Sequence, residues 1–339
     1  MKKKQFIIVG QGLAGSMLAY FLIKKGHDVM VYDEGHGTAA SSVAAGLINP
    51  ITGRRLVKSD NIDVLLPFAE KTYMEIESFL GIKLWYPREI YWTLSDIKEE
   101  NDWAIRASLP EVKHYIQEDF DKKKYKNFFN EKINFGVVKN AAQVDLVLFI
   151  AAFRFFLKEK NMLTEKRYDF INSHQQETVI YCEGAQARFN PLWSWLPFNV
   201  VKGEALHLKL ESENLKNVIK NNVNIIPQEG QNCYWLGSNY EWNPTDSSPT
   251  PSIKEGFLNE LNQFLNIDYQ VIAHKSAIRP ATKDRKLFIG FHPENPFCAI
   301  FNGLGAKGTS LAPFWANHFA NVLIDTEKLS DVMSIQRFD

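Results

Sequence analysis

The chain has 339 residues, of which 45% are apolar and 13% aromatic, so it can bury a substantial core as two domains or as one large α/β unit. Its 39 basic and 39 acidic side chains balance, so no net field attracts nucleic acid or an anionic membrane, and a small-molecule substrate is the default expectation. Three widely separated cysteines fit neither a disulfide framework nor a metal site, so we expect a cytoplasmic protein without a bound metal. No segment approaches the roughly 20 apolar residues of a membrane helix, so we expect no membrane insertion.

The chain opens with a predicted strand, a glycine turn, a helix and a second strand. Residues 6–9 form a continuous apolar run that is typical of a buried parallel strand. Apolar side chains at helical spacing predict a helix over 14–25, and residues 29–32 predict the next strand. This order predicts the first unit of a doubly wound sheet, whose opening turn faces a ligand.

The opening turn has the glycine spacing of a dinucleotide-binding motif. In such a turn Gly10 permits a tight bend, Gly12 lets the backbone approach a pyrophosphate, and Gly15 lets the helix pack on the strand. The unpaired N–H groups at the helix start, around Leu13 and Ala14, and the positive end of the helix dipole then stabilise the phosphates.

An acidic pair follows the second strand. Asp33 lies about 20 residues beyond the turn, where a carboxylate can accept hydrogen bonds from a ribose diol, and Glu34 competes for that role. These residues predict a nucleotide cofactor, but both NAD and FAD fit them.

The remaining elements alternate along the chain. Helices are predicted over 61–80, 144–160, 253–265 and 310–323, and strands over 178–182, 201–210, 232–237, 287–290 and 299–301. The aromatic-rich 84–94 and the charged 97–132 suit a separate, more exposed layer. We therefore expect an inserted domain, interrupted by a return to the first.

Several motifs join the glycine turn in a specific order: ASSVAAG at 40–46, CEGA at 182–185, KGE at 202–204, YWLGS at 234–238, IRPATKD at 278–284 and NGLGAKG at 302–308. Together they resemble the D-amino-acid oxidase superfamily of flavoproteins, especially its glycine oxidase, sarcosine oxidase and D-amino-acid dehydrogenase branch. The resemblance implies non-covalent FAD and an α/β fold, with a Rossmann-like FAD-binding domain and an inserted α+β substrate domain built on an antiparallel sheet. We assign 1–60, 136–195 and 276–339 to the FAD-binding domain, and 61–135 and 196–275 to the substrate-binding domain.

The resemblance also implies which residues contact the cofactor. The small-residue segment after the second strand would lie along the pyrophosphate and flavin, and the glycine loop near the C-terminus would contact the flavin ring. Carried over residue by residue, the contacts are Ser41, Ser42, Ala45, Gly46, Gly184, Gly303, Gly305, Ala306, Lys307 and Gly308.

Arg279 is the predicted substrate anchor. In glycine oxidase-like members the arginine of the matching Arg-Pro segment holds the substrate carboxylate, a task that suits a guanidinium fork. The alternative is a structural ion pair between domains.

Other candidates keep two interpretations. Three aromatic residues have two interpretations: Tyr234, Tyr240 and Trp242. They line the substrate pocket from the inserted domain, or they belong to the core or cover the surface. Three cations follow the flavin-side segment: Arg54, Arg55 and Lys58. One interpretation is that they bind an acidic substrate, and the other is that they belong to a solvated turn. Lys307 assists reaction with oxygen or stabilises a flavin anion, or else faces solvent.

The leading hypothesis for function is oxidation of a small amine or amino acid, such as a D-amino acid, glycine or an N-substituted glycine, by hydride transfer to flavin N5, followed by imine hydrolysis. The loop at 303–308 is also similar to the oxidase half of the bifunctional bacterial enzyme that modifies wobble uridine in tRNA, so a modified nucleoside is an alternative substrate. The neutral charge argues against tRNA, because phosphate contacts need a basic face. A non-catalytic flavin-binding subunit and an NAD-linked dehydrogenase are further alternatives.

Overall fold

A computed structural model describes residues 3–35, 37, 39–53, 55–117, 125, 127–129, 133–169, 177–211, 215–229 and 232–338. The described residues form a mixed α/β fold, as the sequence predicts. Its α-helices are α1 (Leu13–Lys24), α2 (Ala40–Val43), α3 (Ile62–Leu80), α4 (Ile97–Ala107), α5 (Leu146–Glu159), α6 (Pro251–Phe264) and α7 (Gly308–Leu323).

The strands group into two large sheets and one two-stranded ribbon. In chain order they are β1 (Gln5–Val9), β2 (Asp28–Tyr32), β3 (Leu47–Ile48), β4 (Ile51–Thr52), β5 (Val57–Lys58), β6 (Trp85–Leu94), β7 (Asn134–Val144), β8 (Leu163–Thr164), β9 (Thr178–Tyr181), β10 (Val201–Leu210), β11 (Val218–Lys220), β12 (Asn224–Pro227), β13 (Cys233–Gly237), β14 (Glu241–Trp242), β15 (Tyr269–Arg279), β16 (Phe288–His292) and β17 (Asn295–Asn302).

The first sheet has six strands in the order β16-β17-β9-β1-β2-β8. All its neighbours pair in parallel except β16 with β17. The carboxyl ends of β1, β2, β9 and β17 therefore meet at one edge. In open parallel sheets this edge is where ligands bind.

Helix α1 follows β1 and packs between the first sheet and α7. Residues 13–22 of α1 are all buried, because the helix is covered on nearly every side. Its sequence is correspondingly apolar around the whole helix, with Ala and Gly where neighbours come closest.

The second sheet has nine strands and is antiparallel except for the pair β6 and β11. Strand β10 is second from one end of this sheet, with the edge strand β15 along one side and β13 and β14 along the other. Side chains alternate along β10, so Gly203 and Ala205 face one side while Lys202 and Glu204 face the other. Ala205 and Trp235 of β13 belong to the same core cluster as α1 and the first sheet. The side of β10 that carries Gly203 therefore faces the first sheet.

The observed elements match the predicted ones within two residues, except that the strand predicted over 299–301 is longer. The prediction also missed strands β7 and β15. A helix was predicted from residue 144, but Val144 ends β7, and the Asp145 carboxylate accepts the Leu148 N–H at 2.9 Å to start α5.

The domain boundaries remain a prediction. Strand β7 lies in the second sheet, although residues from 136 onward were assigned to the FAD-binding domain. Among the described residues, no helix combines the length and apolarity needed to cross a membrane.

Candidate active site

The glycine turn after β1 has no room for a side chain at Gly10 or Gly15. Gly10 has φ +100°, and a Cβ there would lie 2.6 Å from the Cys182 carbonyl oxygen. A Cβ on Gly15 would lie 1.9 Å from the Gly10 carbonyl oxygen. Helix α1 starts after Gly12 with no side-chain cap, so its first N–H groups point outward beyond the sheet edge. This is the geometry that a diphosphate requires.

Two further glycine loops reach the same edge, after β9 and β17. The Asn302 side chain joins them: its Nδ2 donates to the Gly184 carbonyl at 2.9 Å, and its Oδ1 accepts the Gly303 N–H at 2.8 Å. Gly184 and Gly303 both have positive φ, as does Gly305. The structure thus brings three predicted cofactor loops together.

Helix α7 starts beside α1. A Cβ on Gly308, the first residue of α7, would lie 3.2 Å from Leu13 Cδ2. Two helix N-termini therefore face the same edge, and both favour negative charge there. Ala306 and Lys307 precede α7 and are exposed. The side chain of Lys307 forms no capping hydrogen bond with the start of α7.

Asp33, at the end of β2, is held by three donors. Its Oδ2 accepts the Gln11 N–H at 2.8 Å, and its Oδ1 accepts the Gly35 N–H at 2.7 Å and Arg154 Nη1 at 2.8 Å. A carboxylate has roughly four acceptor positions, so one stays open for a ribose hydroxyl on the Oδ2 side. Asp33 therefore still fits its predicted role, although it can accept a hydrogen bond from only one ribose hydroxyl.

The sequence-based prediction missed Arg154. It lies on α5, where its guanidinium also donates to Glu165 Oε1 at 2.8 Å. The only signal for it was a cation within the apolar pattern of residues 144–160. Its contact with Asp33 depends on how α5 packs against the first sheet, which the local sequence does not specify.

The segment 40–46 is tied to the second sheet through its carbonyl groups. Trp235 Nε1 donates to the Val43 carbonyl at 2.9 Å, and Gln143 Nε2 donates to the Ala45 carbonyl at 3.2 Å. Gly46 has φ +71°, and a Cβ there would lie 1.8 Å from the Val144 carbonyl oxygen. Strands β7 and β13 thus fix the backbone of the predicted flavin-side segment.

The two serines of this segment differ in their surroundings. Ser42 Oγ lies 2.8 Å from both the Gly37 and Ala39 carbonyls, so its proton is used within its own turn. Ser41 Oγ lies 3.4 Å from the position of a Cβ on Gly12, which places it beside the glycine turn. Ser41 is therefore the better placed of the two to meet a phosphate.

Arg279 ends β15 on the side that faces the first sheet. Its Nη2 donates to Ser238 Oγ at 2.7 Å, its Nη1 donates to the Asn239 carbonyl at 3.2 Å, and its guanidinium lies 4.7 Å from the Tyr240 ring centre. A Cβ on Gly203 would lie 1.9 Å from Nη2, so only glycine lets the guanidinium lie flat on β10.

The charge of Arg279 has no carboxylate partner among the described residues. Burial lowers the pKa of Arg279, although a guanidinium stays charged in proteins. The predicted alternative, an ion pair between domains, is therefore absent from the part of the chain that the structure describes. A bound anion would supply the missing counter-charge.

Of the remaining candidates that the structure describes, one serves the core and the others are exposed or paired with another residue. Tyr234 is buried in the cluster on the opposite face of the second sheet, among α6 side chains, so here the core interpretation holds. Trp242 is 53% exposed, and Lys58 of β5 pairs with Asp63 of α3 at 2.7 Å. Arg55 is exposed, and Arg54 lies outside the described residues.

Fold and site together define an α/β protein that binds a dinucleotide at the carboxyl edge of a parallel sheet. The sequence model of the DAO family, described as FAD dependent oxidoreductase, matches residues 5–322. The chain belongs to this family and is an FAD-dependent oxidoreductase. The NAD alternative is thereby overturned, because the family uses FAD.

Known relatives agree over nearly the full length. Glycine oxidase of Pseudomonas putida is 24% identical, with 97% of this chain and 96% of that protein aligned. The structure of glycine oxidase from Bacillus cereus superposes with a TM-score of 0.79 at 17% identity, covering 96% of each chain. Iminodiacetate oxidase from Chelativorans sp. gives a TM-score of 0.76 at 20% identity, covering 97% of this chain and 98% of the other. At these identities the solved structures establish the fold alone.

Proposed function

We propose that this enzyme oxidises a small amine that carries a carboxylate: glycine, an N-substituted glycine or a D-amino acid. The observation that carries the proposal is Arg279, a partly buried guanidinium without a carboxylate partner among the described residues, on the face of β15 directed at the first sheet. The names of the similar proteins, glycine oxidase and iminodiacetate oxidase, support the same substrate class.

The residues at the sheet edge fit FAD. Gly10 and Gly15 leave no room for a Cβ in the turn, and the uncapped start of α1 offers N–H groups to the diphosphate. Asp33 would accept one ribose hydroxyl, the segment 40–46 would lie along the flavin, and the loop 303–308 would border the ring. When bound, the flavin supplies the acceptor, at its N5, for a hydride from the carbon next to the substrate nitrogen.

The chain's own contribution is binding and orientation. Arg279 would hold the substrate carboxylate through paired N–H donors, since Ser238 and Asn239 use only part of its donor set. Anchoring the carboxylate fixes the adjacent C–H bond, and such positioning contributes a large share of the rate. A substrate amine that binds neutral requires no protein base, and water then hydrolyses the imine product.

An anaerobic substrate screen tests this proposal. Glycine, sarcosine, iminodiacetate and D-alanine are mixed with the holoenzyme, and bleaching of the flavin band is followed. We expect at least one of them to bleach the flavin, and Arg279→Met to raise its KM at least 100-fold, while Lys275→Met, an exposed cation on the same strand, has no effect. Bleaching only by amines that lack a carboxylate would overturn the proposal.

A second candidate substrate is a larger amine, such as an N-substituted glycine carried on a tRNA nucleoside. Tyr240 stacks on Arg279, yet 60% of its surface is exposed to solvent. The exposed part of this aromatic ring can stack on a nucleobase. Titrating tRNA at two salt concentrations tests it, because phosphate contacts weaken steeply with salt. Oxidation of small amino acids without tRNA binding would eliminate this candidate.

We also propose a reduced, cytoplasmic setting. Cys182 and Cys298 are both buried free thiols. Secreted proteins of oxidising compartments would normally pair such residues.

A further inference from the structure

A cluster of buried charges lies on the opposite face of the second sheet from Arg279. Glu204 of β10 is fully buried, with 0% of its surface exposed, and Lys202 is 5% exposed. Lys202 Nζ lies 3.4 Å from Glu204 Oε1 and 2.9 Å from Glu241 Oε2, and His274 Nε2 lies 2.8 Å from Glu204 Oε2. The site described above uses none of these four side chains.

The cluster binds the segment 238–250, which runs from the end of β13 through β14 to the start of α6. Glu204 Oε2 accepts the Thr250 N–H at 2.7 Å, and Lys202 Nζ donates to the Ser248 carbonyl at 3.2 Å. Ser276 of β15 donates to the Ser247 carbonyl on the same face. The far end of the segment is therefore fixed by the buried charges.

The near end of the same segment holds Arg279. Ser238 Oγ and the Asn239 carbonyl are the hydrogen-bond acceptors of its guanidinium, and Tyr240 stacks on it. Asn239 also reaches β10, because its Oδ1 accepts the Glu204 N–H at 2.7 Å. One short segment thus connects the buried charges on one face with the guanidinium on the other.

Burial alone would lower the pKa of Lys202, yet its pKa is raised because Glu241 and Glu204 stabilise the ammonium. Buried ion pairs contribute little net stability compared with apolar residues of similar volume. We therefore expect this charged cluster to contribute mainly by holding the segment in one geometry, and little to the free energy of folding.

We propose that Lys202 and Glu204 are positioning residues for Arg279: through the segment 238–250 they fix Ser238 and Asn239, and so the direction in which the guanidinium meets the substrate carboxylate. The inference rests on the proposed function of Arg279. Both side chains lie on the opposite face of the second sheet from Arg279.

The test is a double-mutant cycle on the holoenzyme. Lys202→Met is made in the natural chain and in the Arg279→Met background, and the dissociation constant of glycolate, a carboxylate without an amine, is measured from the perturbation of the flavin spectrum. We expect Lys202→Met to weaken glycolate about tenfold in the natural chain and not at all beside Arg279→Met, because the two changes act through one interaction. For the amino acid, kcat/KM should fall by at least the same factor, because a displaced carboxylate also misplaces the C–H bond.

Two further variants keep the test decisive if Lys202→Met folds poorly. Glu241→Gln removes only the partly exposed partner of Lys202, and we expect a threefold loss of glycolate affinity. Lys202→Arg retains the charge and should restore most of the affinity. Lys209→Met, an exposed lysine on the same strand, is the matched control and should change nothing.

The outcomes separate the two proposals. If Arg279→Met leaves glycolate binding unchanged, the proposed function fails. If Arg279→Met weakens glycolate binding but Lys202→Met and Glu241→Gln do not, only the positioning role is overturned. An equal loss from Lys202→Met in both backgrounds would likewise reject positioning, because it would indicate a general structural effect.

Discussion

Gly203→Ala isolates the contribution of the guanidinium position from that of the charge. The new methyl group would lie 1.9 Å from Arg279 Nη2 and 2.2 Å from Cζ. Its backbone φ is not in the left-handed region, so an alanine is compatible with the strand. The clash falls on the far end of a flexible side chain, so we expect the protein to fold and Arg279 to move.

The size of the effect follows from these distances. Raising the separation from 1.9 Å to an ordinary contact of 3.4 Å displaces the guanidinium by about 1.5 Å. A misplacement of about 1 Å can cost roughly 100-fold in rate. We therefore expect kcat/KM for the carboxylate substrate to fall about 100-fold, equivalent to about 2.7 kcal/mol. The free energy of unfolding should stay equal or rise by about 0.4–1 kcal/mol, because alanine restricts the unfolded chain.

The assay is steady-state oxidation of the amino acid that the substrate screen identifies, beside thermal unfolding of the holoenzyme. Gly256→Ala is the matched control, because a Cβ there meets nothing within 4 Å. A kcat/KM within threefold of the natural enzyme would refute the reasoning. So would a loss that appears equally with an amine lacking a carboxylate, because the guanidinium position would then be irrelevant.

Three further predictions concern the cofactor and the core. Gly15→Ala should give a colourless protein that does not retain FAD, because its Cβ would lie 1.9 Å from the Gly10 carbonyl oxygen; absorbance at the flavin band measures this. Arg154→Met should weaken FAD about tenfold by fluorescence titration, because it removes a 2.8 Å contact to the ribose-site aspartate, whereas Lys158→Met on the same helix should not. Burial raises the pKa of Cys298 to about 11, whereas the thiol of the unfolded chain loses its proton above about 8.5. The free energy of unfolding should therefore fall as the pH rises from about 8.5 to about 11, by up to about 1.4 kcal/mol per pH unit. Urea unfolding at a series of pH values measures this.

Each of these has an outcome that would contradict it. A yellow Gly15→Ala protein would mean that the turn can open without losing the cofactor. Equal FAD affinity for the Arg154 and Lys158 variants would remove the case for Arg154. The pH dependence should flatten in Cys298→Ala, and an unchanged slope would assign it to other groups.

The sequence predicted much of the fold because its signals are local. The opening strand, the glycine turn and α1 appear where the pattern places them, since a tight turn and a close helix approach demand glycine at Gly10 and Gly15. The strands β7 and β15 were missed. Exposed and buried residues are mixed along β15, so its pattern is weak without its partner β10.

The sequence by itself determined a nucleotide-binding turn and the approximate elements, because a backbone conformation that only glycine adopts is encoded at the residue itself. Only the tertiary structure decided that Arg154 holds Asp33 across 121 residues, that Gly203 makes room for Arg279, and that Trp235 fixes the carbonyl of Val43. These contacts join segments far apart in the chain, and no local pattern specifies which side chains meet when two sheets and their helices pack together.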